Sequence, residues 1–568
     1  MSTYVERIRW FLGELKRVKS GLFGFILLFI LVGVALAFPL IANQQDVMYW
    51  SGHAEYWQKK MLPVLAPPAW INLFSPQKYA VTHVIPVTKS NYTILNMSND
   101  KDLIKYLELM NPDVAKALKQ LPASQRKALL NNLRKGLHFK YLIYIEKDMV
   151  YDFRADIPPS DIEVLAKIGP IVMRKGLVQG INILFSRPDG ITLTLTPGAS
   201  TNITNPFNIN QYADLTSPGL LTRLGIPVTT NTSGHESFNE IVANTTWLFS
   251  LRDYISSVIN SRNPAIINAI LGPILRAVNA TIKTGTYINP MVFLMSKAER
   301  GIVSGTAPPL KGRYVLSFRF LIKVPKGFKE PRFIVEKAKV LGVYGLLGTD
   351  IHGRDLWPAF IYGVRWALLV GILVSVISTF VGVMYGVISG YLGGWVDVVM
   401  TRIAQVVYSL PVLPLLIILA YFFGPSIWNV IIILIAFGWV GIVFTVRSMV
   451  LQIKENLYVE AARAVGASSW RIIFKHVFPQ ILPYTFASMA LSVPGAILAE
   501  AGLSFLGLGD PNLVTWGKIL HDAQAGNAVL NGAWWWVLPP GIGIAVVGMT
   551  FVFIGYALDR ILNPRLIR

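Results

Sequence analysis

Apolar residues are distributed very unevenly along the chain. A polar, basic segment at 1–20, carrying Arg7, Arg9, Lys16, Arg17 and Lys19, leads into an uncharged apolar run from Gly21 to Ala42. About twenty apolar residues suffice to cross a bilayer, so 21–42 is predicted to be a first transmembrane helix. Ala35-Leu36-Ala37 resembles a signal-peptide cleavage site. The apolar region of such a peptide spans only about 7–15 residues, however, and the length favours a retained helix.

No comparable run occurs from 43 to 350. Helix-like spacing of leucine and isoleucine appears at 101–135 and 249–281. Alternating, strand-like stretches occur at Phe139–Ile145, Ile181–Phe185, Ile191–Thr196 and Arg313–Val324. Ala265–Val278 is apolar but short and carries Arg276, which predicts a core helix of a folded domain rather than a span. The segment 43–350 therefore reads as an inserted α+β domain.

Beyond it the apolar pattern returns, with predicted spans at 366–388, 403–423, 427–446, 482–504 and 537–558. The core, 351–568, thus holds transmembrane helices 2–6 of an all-α polytopic membrane domain. Arg402, Arg447, Lys454, Arg463, Arg471, Lys475, Arg560, Arg565 and Arg568 all fall on the side shared with the N-terminus. Basic residues favour the cytoplasm, which predicts six spans with both termini inside and 43–350 outside, in the plasma membrane. The Trp534-Trp535-Trp536 cluster then begins the last span at the outer surface, where indole rings favour the interface.

Composition agrees with a membrane chain: 568 residues, 53% hydrophobic and 15% charged, against about 25% charged in soluble domains. The net charge of +21 would suggest nucleic acid in a soluble protein. In a membrane protein, basic residues flanking the spans on the cytoplasmic side are the simpler reading, and no nucleic acid is expected. There is no cysteine, which excludes disulfides, thiolate metal sites and cysteine nucleophiles. The seven histidines form no metal-ligand pattern, so no metal is expected. No phosphate-binding loop occurs, since Gly517-Lys518 lacks the upstream glycine; ATP hydrolysis and cofactors are not expected on this chain. Six N-x-[S/T] sequons begin at Asn91, Asn96, Asn202, Asn231, Asn244 and Asn279, all within 43–350. Chance in an Asn- and Thr-rich segment would give the same sites, but the one-sided distribution fits an external, glycosylated domain.

Mechanism is concentrated in the loop 454–479. Glu460-Ala461-Ala462-Arg463-Ala464-Val465-Gly466 continues through Ala467-Ser468-Ser469-Trp470-Arg471 to Lys475-His476-Val477-Phe478-Pro479. Alanines favour a helix, Gly466 turns it, and a second helix follows. Such a pair is either a rigid knob on the membrane face or an ordinary interfacial segment. In the spans, Glu500 is costly in lipid unless paired or wetted; it lines the outer mouth of a pathway or snorkels to water at the interface. Pro494-Gly495, Pro411 and Pro414 interrupt backbone hydrogen bonds and mark either gating kinks or packing features.

The loop resembles the coupling loop of binding-protein-dependent ABC importer permeases, with Glu460, Ala461, Ala462 and Gly466 at the family's spacing. His476 and Phe478 depart from the general pattern while Pro479 keeps it, and this tail resembles the dipeptide/oligopeptide/nickel branch. Leu347-Gly348-Thr349-Asp350, Gly353-Arg354-Asp355 and Gly363-Val364-Arg365 resemble the same branch, as do Glu500–Gly509, Trp516-Gly517, Trp534–Pro540 and Asp559–Pro564. The resemblance spans 345–568 and the first helix, and is similar to the C-type subunit of such systems. It implies a type I ABC importer permease fold. It also implies a homologous permease, two ATPase subunits that hold ATP and magnesium, and an extracellular binding protein as partners, all in membrane lipid. The size of the insert is a departure from that branch. Two rivals remain from the residues alone: a membrane-anchored receptor or enzyme using the external domain, for which the 454–479 loop has no evident use, and a secondary transporter, for which no inverted repeat is visible.

Overall fold

An uncharged apolar run can satisfy its backbone in lipid only as a helix. In the computed structural model the first such run forms α1, Lys19–Ile41, followed by the short helices α2, Gln44–Met48, and α3, Ala54–Lys60. The structure describes residues 13–15, 17–168, 179–196, 213–214, 223–224, 245–282, 287–325 and 332–562. Asn202, Asn231 and Asn244 lie outside them. The chain divides into two compact units, one of Met1–Tyr56 with Gly345–Arg568 and one of Trp57–Tyr344. The second is narrower than the 43–350 segment.

Trp57–Tyr344 is built on antiparallel sheet. In chain order it contains α4 Ile71–Phe74, β1 His83–Val84, β2 Val87–Asn96, α5 Asp100–Met110, α6 Pro112–Gln120, α7 Ala123–Gly136 and β3 Phe139–Phe153. There follow β4 Asp161–Ile168, β5 Gln179–Ser186, β6 Thr192–Thr194, β7 Ala213–Asp214, β8 Thr245–Ser250 and α8 Leu251–Asn260. The unit ends with α9 Pro264–Ala277, α10 Pro290–Met295, β9 Gly312–Pro325 and β10 Phe333–Leu341. One sheet has the order β1-β10-β4-β8 and the other β2-β3-β9-β5-β6, with β7 paired to β5. Rings from both sheets meet in one core: Trp247 of β8 is edge-on to Phe318 of β9 at 5.5 Å, and Phe333 of β10 lies 4.6 Å from Phe320. A smaller core forms where Leu103, Leu107, Leu118 and Leu130 of α5–α7 cover Leu142, Tyr144 and Leu321.

Three helices of this unit begin with the same pair of residues. Asn111-Pro112, Asn263-Pro264 and Asn289-Pro290 start α6, α9 and α10, each asparagine accepting a hydrogen bond from the first turn. Asparagine satisfies an N–H that the helix cannot, and proline removes another. The ends of the unit meet: Tyr344 N donates to the Pro67 carbonyl at 3.0 Å, and Lys339 Nζ to that of Lys60 at 2.6 Å. Unit boundaries also relocate the charge. Residues 57–344 hold 35 Lys and Arg against 18 Asp and Glu, a net +17 of the chain's +21. The surplus therefore does not come from loops flanking the spans, as the sequence pattern suggested.

The other unit continues with α11 Leu356–Leu392, α12 Gly394–Ser409, α13 Val412–Phe423, α14 Ile427–Gly438 and α15 Val440–Ile453. It ends with α16 Leu457–Ala464, α17 Ser469–Ile472, a π-helical turn at Ile473–Val477, α18 Phe478–Phe505, α19 Trp516–Ala525 and α20 Trp534–Leu562. Among the described residues five helices are long and apolar enough to cross a membrane. They are Lys19–Ile41, Leu356–Leu392, Ile427–Ile453, Ser469–Phe505 and Trp534–Leu562. A sixth arises only if α12 and α13, bent by 82°, count as one span. The span expected at 403–423, with Pro411 and Pro414 interrupting its hydrogen bonds, is thus broken outright. Pro411 is the reason: Leu410 before it is extended, with ψ 135°, as a residue preceding proline prefers to be.

Helices approach one another over glycine. On α11, Gly382, Gly386 and Gly390 form a stripe against α15 and the residue before it. A Cβ on them would fall 2.3 Å from the Trp439 carbonyl oxygen, 2.8 Å from that of Val443 and 2.9 Å from that of Arg447. Small residues spaced by four permit such backbone contact. Gly21 and Gly24 of α1 similarly abut Ala557 and Phe553 of α20, so α1 is part of the bundle. The tryptophan cluster departs from an interfacial belt. Trp534 is partly exposed, but Trp535 is buried with Nε1 donating to the Thr349 carbonyl at 3.1 Å. Trp536 is fully buried against Gly526.

Candidate functional site

The loop between α15 and α18 forms a closed turn. Val465 caps α16, Gly466 adopts φ +83°, Ala467 N donates to the Ala462 carbonyl at 3.1 Å, and Gly466 N to that of Arg463 at 3.0 Å. These paired bonds are the Schellman arrangement, whose left-handed residue is usually glycine. Nothing lies within 4 Å of a Cβ built on Gly466. The requirement for glycine is therefore one of backbone conformation, not of space. Ser468 then caps α17, accepting from Arg471 N.

Beyond α17 the chain widens into the π turn at Ile473–Val477. Pro479 offers a cause, since it has no N–H for the carbonyl of Lys475 and its ring would crowd that carbonyl in a regular α turn. The inner side of the loop is pinned. Val459, Ile472, Ile473 and Val477 are buried with Val383, Val387 and Tyr391 of α11 and Val446, Val450 and Ile453 of α15. The outer side is apolar too: Leu457 and Val465 are exposed, and Trp470 stacks on Phe474 at 6.0 Å with both rings half exposed. Glu460 and Ala461 are exposed beside them, and Ala462 is half-buried.

A charged clamp holds the base of this knob. Arg447 of α15 grips Asp397 of α12 with two bonds, Nε to Oδ1 at 2.6 Å and Nη2 to Oδ2 at 2.5 Å. Ser389 Oγ of α11 donates to the same carboxylate at 2.5 Å, and Lys454 Nζ to the Gly390 carbonyl at 3.3 Å. A bidentate pair fixes orientation as well as distance. Sequence reasoning used Arg447 only as a topological charge and missed Asp397, fifty positions away.

Glu500, Pro494 and Gly495 belong to a different region. Glu500 lies 22 residues beyond Phe478 along α18, which is about 33 Å at the helical rise. Its side chain is buried, and Oε1 accepts from Ser504 Oγ at 2.7 Å. Ser504 in turn packs beneath Gly517 of α19. Glu500 therefore neither reaches the surface nor snorkels; a neighbouring hydroxyl satisfies it. Pro494 lies within unbroken α18 and faces Gly548 of α20, while a Cβ on Gly495 would meet nothing.

The segment before α11 builds a second polar centre. Asp350 Oδ1 accepts from His352 N and Arg354 N, both at 2.8 Å, with Gly353 at φ +67° closing the turn. Arg354 Nε reaches Asp350 Oδ2 at 2.5 Å, Nη1 the Trp50 carbonyl at 2.9 Å and Nη2 Asp522 Oδ2 of α19 at 2.9 Å. Trp50 lies under the guanidinium at 4.1 Å and donates Nε1 to Asp522, and Lys518 holds the other Asp522 oxygen at 2.8 Å. Burial pushes the Asp350 carboxyl above its ordinary value, against the pull of Arg354. Burial acts the same way on Asp522, but Arg354 and Lys518 outweigh it and leave that carboxyl below its ordinary value.

Of the described sequons, Asn91 on β2 donates its amide to Glu146 Oε2 at 3.0 Å. Asn96 accepts from Ser98 N, and Asn279 is exposed at φ +49° just after α9. Among the described residues no group of three or more His, Asp or Glu could hold a metal.

Residues 382–568 match the family described as binding-protein-dependent transport system inner membrane component. The dipeptide transport system permease protein DppC of Bacillus subtilis is 37% identical over 267 residues, 46% of this chain and 82% of that one. The oligopeptide transport system permease protein OppC of Haemophilus influenzae is 36% identical over 233 residues, 41% of this chain and 74% of that one. A putative peptide transport system permease protein of Brucella suis is 36% identical over 226 residues, 40% of this chain and 75% of that one. Among solved structures, a chain of the MetNI methionine ABC transporter in an inward-facing conformation is 20% identical. It covers 36% of this chain and 97% of that one at a TM-score of 0.25, too low to bear on the fold. Over lengths this large such identities reflect common descent, and the chain belongs to the binding-protein-dependent transport system inner membrane components, as a permease subunit of an ABC importer.

Proposed function

We propose that this permease imports peptides and is driven through the knob at 457–477. Its relatives' names point to peptides. In this reading it pairs with a homologous permease, two ATPase subunits and an external binding protein. Six spans leave both termini in the cytoplasm and 43–350 outside, with α12 and α13 acting together as one bent span. ATP and magnesium stay on the ATPase subunits, and closure of those subunits pushes on the knob.

The observation that carries the coupling role is the knob's two-sidedness. Its inner apolar residues bury it on α11 and α15, while Leu457, Val465, Trp470 and Phe474 stay exposed around Glu460. A rigid turn with an apolar outer face is what a docking cleft can grip, and its buried side passes the displacement to the spans. Glu460 seats the loop and Gly466 permits the turn; Ala461 and Ala462 keep it compact. Glu500, Pro494 and Gly495 are assigned to the opposite end of α18, near the outer mouth, as a gate region. The test is co-purification of the ATPase subunits with the wild-type chain and with Trp470→Asp. Retained association in the variant would sink the coupling role of this face. Glycans, if the host attaches them, are assigned to the sequon asparagines.

A further inference from the structure

The unit Trp57–Tyr344 carries an exposed apolar tip that the transport mechanism does not use. Leu73 and Phe74 of α4 are 76% and 80% exposed, and Trp70 packs edge-on against Phe74 at 6.2 Å. The tip is rigid rather than a frayed loop. Asn72 is bonded through both side-chain atoms to Tyr79, at 2.8 and 3.0 Å. Lys78 Nζ caps the Asn72 and Ser75 carbonyls at 2.6 and 3.1 Å. An ammonium is thus fixed beside two bare hydrophobic side chains.

The surrounding sequence is purely cationic. Residues 56–99 hold Lys59, Lys60, Lys78 and Lys89 and no acidic residue; Lys89 pairs with Glu146 of β3 at 2.9 Å, and Lys78 N donates to Asp156. Elsewhere among the described residues of the unit several acids are held in ion pairs, as in Asp100–Arg134, Glu108–Lys119, Asp156–Lys311 and Glu336–Lys167. The exposed Lys101, Lys105, Lys116, Lys127 and Lys135 have no carboxylate partner among the described residues. The tip is also tied to the exit of the unit. Pro67, three residues before Trp70, is bonded to Tyr344, and only eleven residues lie between Tyr344 and Leu356, the first residue of α11.

We propose that Leu73 and Phe74 insert into the interfacial layer of the bilayer that holds the spans, and that Lys78, fixed beside them, meets anionic lipid headgroups. Aromatic and aliphatic side chains flanked by lysine suit that layer, where apolar burial and headgroup attraction add. The short tether supplies the proximity. The inference rests on the external placement of this unit proposed above.

Because the chain has no cysteine, Leu73→Cys gives a single attachment point on the whole protein. The protein, carrying a fluorophore there, is reconstituted in nanodiscs of phosphatidylcholine with and without phosphatidylglycerol. The expected result is strong quenching by a spin-labelled lipid and weak quenching by aqueous acrylamide, with lipid quenching greater in the anionic discs and reduced by salt. Quenching by acrylamide alone overturns the proposal. So does protection that appears only when the binding protein is added, which would make the tip a protein docking site. Equal lipid quenching in neutral and anionic discs overturns the headgroup part. Labelling of the same cysteine in intact cells by a membrane-impermeant reagent separately checks the external placement: a cysteine reached only after lysis refutes that placement and leaves the nanodisc result to stand or fall alone.

Discussion

Arg354 and Asp522 lie 168 positions apart in sequence and are joined at 2.9 Å, while the same guanidinium holds Asp350 at 2.5 Å. One side chain thereby links the residues after α1, the turn before α11 and helix α19. Asp350 has no exposed surface, so removing its counter-charge leaves a buried carboxyl unpaired. Loss of one partner from a buried pair costs about 3–5 kcal/mol. Arg354→Leu is expected to lower the thermal unfolding temperature of the detergent-solubilised protein clearly. Asp522→Asn, which keeps one acceptor oxygen for Trp50 and Arg354 but sets an amide donor against Lys518, should cost less, about 1–2 kcal/mol. Equal, small shifts for both would show that the network contributes little.

Gly466 separates conformation from contact. A non-glycine residue in the left-handed region costs about 1–2 kcal/mol, least for asparagine. Gly466→Asn is expected to retain much of the ATP-dependent uptake, whereas Gly466→Val should lose most of it at normal abundance in the membrane. Glu460→Lys, at an exposed position, should leave insertion intact and abolish uptake. Uptake assays normalised to membrane abundance check all three, and full activity of Gly466→Val would remove the turn from the mechanism.

The glycine stripe on α11 gives a packing prediction. A Cβ on Gly382 falls 2.3 Å from a backbone oxygen, which no side-chain adjustment relieves. Gly382→Val is expected to force α11 and α15 apart and destabilise the protein by about 1–3 kcal/mol or more. Gly495→Ala on α18, facing open space, serves as the matched control and should be neutral or slightly stabilising. Thermal unfolding of the two variants side by side decides it.

A pH dependence is built into Trp57–Tyr344. Burial, reinforced by Asp161 and Asp253, pushes the Glu163 carboxyl up from 4.5 to about 8, against Arg252 and Lys339. Burial likewise raises Asp161 to about 6, although Ser250 and Arg252 bond it. The folded state holds these protons more tightly than the unfolded chain. Stability should therefore fall as pH rises from about 4.5 to about 8. Lys339, pushed down to about 8 by burial, adds a slope of opposite sign only above that pH. The unit has its own core and adjoining ends, so 57–344 can be excised for the measurement. Its melting temperature should decline from about pH 5 to about pH 8, and Glu163→Gln should flatten most of that decline.

Topology is checked most directly by proteolysis. Protease added to intact cells is expected to cut within 43–350 and to spare 447–480. Protection of the large segment would reverse the orientation.

Several features could be read from the chain because they are local. Uncharged runs marked α1, α11 and α20, and the helix-like spacing at 101–135 and 249–281 became α5–α7 and α8–α9. Four alternating stretches became β3, β5, β6 and β9. The turn at Gly466 also followed from residue order, since a Schellman end involves only six consecutive residues. Other features depend on contacts distant in sequence. The strand β2 has few inward apolar residues, because it is an edge strand exposed over its first half, so alternation gave no signal. Asp397 looked like an isolated acid until Arg447 came to meet it. Trp535 and Trp536 looked interfacial because composition does not say which faces of a helix are covered. The bend at Pro411 was present as a proline in the sequence, but a proline alone does not distinguish a kink from a full 82° break.

The contact between α11 and α15 has a mechanical consequence. The recesses at Gly382, Gly386 and Gly390 receive carbonyl oxygens at Trp439, Val443 and Arg447, so teeth and notches share one spacing of four residues. At the helical rise that spacing is about 6 Å. A smaller slide of one helix along the other would drive carbonyl oxygens against the side chains between the glycines. The pair behaves as a rack locked in its track, free to tilt or roll as one body but barred from creeping lengthwise. In the proposed coupling, a push at Trp470 would pass to α11 without slippage at the joint nearest the knob.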